Sequence, residues 1–124
     1  MEFNYSVSIE QPLIRVRSQG AFDYLKVYEM WKAVVAACNE HQCYCILGES
    51  LSTEPIPKLD AYEHVSLIES AGVTPDYRIA WVSKDTAVLE RLRLIETLLR
   101  ERLVFNVSVF ENTATAKRWL AAEQ

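Results

Sequence analysis

Apolar and polar residues alternate strictly in the first two segments of the chain, and then the period changes. In FNYSVSI, Phe3, Tyr5, Val7 and Ile9 fall on one side and Asn4, Ser6 and Ser8 on the other. LIRVRSQG repeats the pattern, with Ile14 and Val16 opposite Arg15 and Arg17. Period-two alternation predicts strands, and the short EQP break between the segments predicts an antiparallel hairpin. Over 21–39 the apolar residues Tyr24, Val27, Tyr28, Trp31, Val34, Val35 and Cys38 recur at helical spacing. CYCILGE (43–49) predicts the next strand, and a helix follows over 57–71, with Pro57 in its first turn and Gly72 at its end. YRIAWVS (77–83) is a strand. Asp85 then caps a helix to about residue 102 whose buried row is Val88, Leu92, Ile95 and Leu99. On that helix Glu96 and Arg100 stand at ion-pair spacing on the side expected to be wet. VFNVSVF (104–110) is the last strand, and Asn112 caps a closing helix carrying Ala116, Trp119 and Leu120.

The order ββαβαβαβα calls for right-handed parallel crossovers after the hairpin. Because the strands alternate, the prediction is an α/β two-layer arrangement: a five-stranded mixed sheet, four helices mostly on one face, the other face partly wet. The 124 residues read as a single domain, 1–124.

Composition adds exclusions. The net charge of −4 argues against nucleic acid, since a phosphate backbone needs a basic face. No run of about 18 apolar residues is present, so no transmembrane segment is expected. The acidic, alternating N-terminus lacks the basic start and apolar stretch of a secretory signal. Three cysteines without such a signal suggest reduced thiols and a cytoplasmic protein, with peripheral association at the inner membrane surface left open.

Three segments resemble the SpoIIAA-like family, related to the STAS domains of bacterial anti-sigma-factor antagonists and in fold to CRAL-TRIO lipid-transfer domains. YRIAWVSKD looks like the family's penultimate strand, VSVFENTATAKRWL like its closing strand, cap and helix, and ILGES like the strand that leads into its loop and second helix. The resemblance implies a βα superhelix with a leading antiparallel strand. It also implies two functions: a pocket for a lipid-like ligand beneath a movable helix, or a signalling surface controlled by phosphorylation.

The candidate chemistry bears on both. In GESLSTEPIPKLDAYEHV, Ser50, Ser52 and Thr53 are candidate phosphoacceptors, but they precede the helix, and Pro57 and Lys58 stand where STAS switch proteins carry a hydroxyl. The stretch is therefore read as a hinge (49–57) for the following helix. Cys38, His41, Cys43 and Cys45 are metal-ligand types at the wrong spacing for a zinc ribbon or finger, and no metal or other cofactor is expected. Asp60 and His64 are four residues apart and are expected to pair on an exposed helix face. No nucleophile motif or Gly-rich phosphate loop is present, so no enzyme is predicted. The surplus of aromatics gives the candidate ligand-binding set: Tyr24, Tyr28, Trp31, Ile56, Tyr62 and Trp81. The first helix is apolar beyond one stripe, with Met30, Ala33, Ala36 and Ala37 on its other side, so a homodimer or protein partner through the 21–39 helix is a further expectation. The favoured reading is a non-enzymatic binding domain for a small apolar or lipid-like molecule. The alternative is a STAS-type module that docks a protein under control of residues 50–53.

Overall fold

Strict alternation produces the predicted hairpin: β1 (Asn4–Glu10) and β2 (Leu13–Gln19) pair antiparallel, with Val7 opposite Val16. The computed structural model describes residues 2–102 and 106–122. The chain continues through α1 (Tyr24–His41), β3 (Cys45–Ser50), α2 (Lys58–Ala71), β4 (Arg78–Ser83), α3 (Thr86–Arg102), β5 (Asn106–Phe110) and α4 (Thr113–Ala122). The sheet order is β1-β2-β3-β4-β5, parallel from β2 onward. This is the predicted α/β architecture. Val104 and Phe105, assigned to the last strand from the sequence, lie outside the described residues.

Short polar side chains start three of the helices, two of them, Asp85 and Asn112, where the sequence puts them. Asp23 accepts from the Lys26 N–H at 3.1 Å, Asp85 from Val88 at 3.0 Å and Asn112 from Thr115 at 2.8 Å. The Asp23 cap explains why α1 begins at Tyr24 and not at residue 21. Gly72, at φ 108°, closes α2 in the left-handed region.

Helices α1, α2 and α3 lie on one face of the sheet and share its main core, which includes Ile14, Val16, Trp31, Val34, Ile46, Ile68, Ile79 and Leu99. The second apolar side of α1 is absorbed here. Met30 and Ala37 are buried in that core, because α1 packs against both the hairpin and α2. The surplus expected to meet a partner is thus largely internal, although Ala36 is exposed.

Helix α4 crosses to the opposite face. There Ala116 and Leu120 pack on Leu47, Ala80 and Val82. The Arg78 guanidinium sits 3.9 Å from the centre of the Trp119 ring and donates to the Trp119 carbonyl at 2.7 Å. All six residues of β4 are consequently buried, and the sheet has a third layer over its centre. The hairpin half of this face stays polar: Asn4, Ser6 and Ser8 are exposed. Glu49 on this face accepts from Arg15 Nε at 2.8 Å and also from Arg15 Nη2.

Of the Glu96–Arg100 pair placed on the wet side from the sequence, Arg100 is exposed and Glu96 half-buried, and both side chains are engaged by β5. Glu96 Oε2 accepts from the Val109 N–H at 2.7 Å, and Arg100 donates through Nε and Nη2 to the Val107 carbonyl at 2.9 and 2.7 Å. Both side chains reach across to β5, whose edge-strand backbone groups compete for them.

Candidate functional site

The parallel strands deliver their C-terminal ends to one rim of the sheet, where the loops after β3 and β4 meet the start of α4. Between them is an open cleft of about 410 Å³, with Glu49, Ser50, Ser52 and Thr53 on one wall, Lys84 and Asp85 on the other and Thr113 at one end. The loop over 51–57 is fastened along its length. The Leu51 N–H donates to the Ser18 carbonyl at 2.7 Å, Ser52 Oγ to the Gly20 carbonyl at 3.1 Å, and Arg91 Nε to the Ile56 carbonyl at 2.7 Å. A segment tied to β2, to the residue after it and to α3 is held in place, contrary to the hinge expected from its prolines.

Its three hydroxyls differ. Ser52 Oγ also accepts from the Glu54 N–H at 3.1 Å, so that hydroxyl shapes the turn. Ser50 is half-buried at the end of β3, and Thr53 is exposed. Pro57 occupies the start of α2 without a side-chain cap.

Behind the loop, between the sheet and the helices, lies a second void of about 90 Å³ with largely apolar walls. Trp31, Ile56 and Trp81 line it, together with Ile68, Ile79, Ile95 and His64. The Trp31 and Trp81 rings are 5.4 Å apart. Gly48 makes room for this arrangement, since a Cβ there would stand 2.1 Å from the Trp81 ring. The other members of the sequence-predicted set are elsewhere. Tyr28 is half-buried against the core, while Tyr24 and Tyr62 are 46% and 49% exposed on the surface.

His64 is buried, not exposed beside Asp60. It lies on the face of α2 that carries Ala61, Val65 and Ile68, the stripe that packs inward. Its ring is 5.7 Å from Phe22, and Trp31 Nε1–H donates to His64 Nε2 at 3.3 Å. An indole N–H can only donate, so Nε2 is the acceptor and the neutral ring carries its proton on Nδ1. Among the described residues that Nδ1 has no partner. Burial pushes the imidazole down to about 4, which keeps it neutral at ordinary pH. Sequence reasoning missed His64 as a cavity residue, although its i+3 and i+4 spacing from Ala61 and Asp60 offered both readings.

Cys38, Cys43 and Cys45 are thiols, not disulfides. Burial pushes Cys38 up to about 12, far from a reactive thiolate. His41 ends α1 on the surface, and among the described residues no three His, Cys, Asp or Glu side chains converge as metal ligands would. No helix among them is long and apolar enough to cross a membrane.

No family model matches the chain, and no curated protein matches it. Among solved structures, the crystal structure of an anti-sigma factor antagonist from Mycobacterium paratuberculosis is similar to it. The likeness covers 96% of this chain and 94% of that one, with a TM-score of 0.66 at 12% sequence identity. At that identity the likeness is one of architecture, and it supports the SpoIIAA-like, STAS-type fold implied by the resemblance of the three segments.

Proposed function

We propose that this chain is a non-enzymatic docking domain that presents the rim at the C-terminal ends of its parallel strands to a protein partner, under control of a phosphate on Thr53. The observation that carries the reading is the contrast among the loop's hydroxyls: Thr53 is exposed on a fastened loop, at a cleft whose far wall holds Lys84. A phosphate there would add about two negative charges at a fixed point of the rim and change what a partner meets. The architecture shared with an anti-sigma factor antagonist supports a protein as the partner. A lipid is not part of this reading. The interior void of about 90 Å³ is smaller than the cavity of about 150 Å³ that accepts one benzene, and an acyl chain is far larger.

The test has two arms. Phosphosite mapping after incubation with ATP and a lysate of the protein's own host should find phosphate on Thr53. A photo-cross-linker at Lys84, across the cleft from Thr53, should capture a protein that the same group at Ser8, on the polar hairpin face, does not, and Thr53→Glu should change that capture. A loop without phosphate, together with capture that favours Ser8, overturns the proposal.

A further inference from the structure

We propose that the void beneath α2 is a binding site for a small uncharged molecule with an apolar body and one hydrogen-bond acceptor, which His64 Nδ1–H would hold. This is independent of the docking role. Three observations carry it.

The first is the orphaned donor. Trp31 occupies Nε2, which leaves the proton on Nδ1, and Nδ1 is buried with no partner among the described residues. Buried polar groups are almost always hydrogen-bonded, so a donor without a partner, on a side chain that lines a void, marks a position for an acceptor. The second is the composition of the wall. Trp31, Ile68, Ile79 and Trp81 surround the volume with carbon. Glu96, also at the wall, is engaged by the Val109 N–H, and its carboxylate disfavours an anion. The imidazole, presenting an N–H, disfavours a cation. A neutral molecule is what remains. The third is size: about 90 Å³ suits a ring of about five atoms more than a benzene. Ser50 and Ser52 border both the void and the open cleft, so the entrance runs beside the fastened loop.

Oxazole and furan form a matched pair of probes, since they are five-atom rings of the same shape and only oxazole carries a ring nitrogen that accepts well. With the full chain at pH 7.5, oxazole should shift the His64 Nδ1–H and Trp31 Nε1–H resonances. It should also bind about ten-fold more tightly than furan, the ratio expected for one added hydrogen bond. His64→Phe keeps a ring against Phe22 and Trp31 but removes the donor, and should abolish the preference. If that variant does not fold, the wild-type Nδ1 resonance still reads the contact directly. The proposal is overturned if neither probe moves the His64 signals, if the oxazole preference survives in His64→Phe, or if Nδ1–H shows a contact to resident water that oxazole does not displace.

Discussion

On one face of the sheet Glu49 accepts from two of the three guanidinium nitrogens of Arg15 and, at 3.4 Å, from Arg17; on the other, His64 sits in the main core with a donor unmatched. Both groups are removed from water, yet their surroundings treat them oppositely. Burial pushes the Glu49 carboxyl up, but the hydrogen bonds from Arg15, then the charge of Arg15 and the contacts of Arg17, outweigh it, and the group is held below the ordinary carboxylate value. Nothing offsets the burial of His64, which moves down to about 4. The polar half-face keeps a charge by pairing it, while the apolar face keeps a titratable group only as a neutral one. Glu49 is therefore satisfied on the half-wet face, and His64 is left with one donor unmatched on the dry one.

The largest effect that would break this contrast comes from filling the dry side. Gly48→Ala drives a methyl into the Trp81 ring and should cost about 4 kcal/mol, above the roughly 1–3 kcal/mol usual for overpacking. A urea melt followed by tryptophan fluorescence checks it, and a loss under about 1 kcal/mol would show that the two indoles can move freely. Next comes acid. The unfolded histidine, at about 6.5, binds protons more readily than the folded one, so the stability tied to His64 is complete above about pH 6.5. It is lost as pH falls towards 4, by about 3 kcal/mol in all, and His64→Phe should flatten that part of the pH–stability curve. The smallest effect sharpens the other face. Glu49→Gln should cost about 1 kcal/mol at pH 7, because Glu49 and Arg15 are only partly screened from water. Its depressed carboxyl contributes stability above the ordinary carboxylate range and loses it as pH falls through the folded value. The variant should therefore remove acid sensitivity below about pH 4.5 and leave the His64 window intact.

The element order and the helix starts at Asp85 and Asn112 were legible, because caps and periodicity are local, whereas the apolar pattern carried the first helix back to residue 21, past the Asp23 cap that opens it. Trp31, Ile56 and Trp81 were legible as apolar residues, but their convergence around a void depends on how three helices pack. Tyr24 and Tyr62 have the same composition signal and lie on the surface. Gly48 gave no sign of its importance until the strand register set it opposite Trp81. For His64 two patterns competed: the i,i+4 spacing from Asp60 suggested an exposed pair, and the apolar stripe through Ala61, Val65 and Ile68 put the ring inside. The stripe prevailed because burial of a whole helix face outweighs one exposed ion pair. Glu96 and Arg100 misled in a similar way, since their partner in space is a strand edge that the helix pattern cannot announce.

That edge has a consequence for how copies of this molecule can add to one another. A sheet grows when an outside strand finds a row of unoccupied amides and carbonyls, and at Val107 and Val109 two side chains already hold those positions. An incoming strand would have to evict a carboxylate and a guanidinium before making its first bond there. The β5 margin is thus a terminated end of the sheet, and any association by strand addition there starts with a penalty.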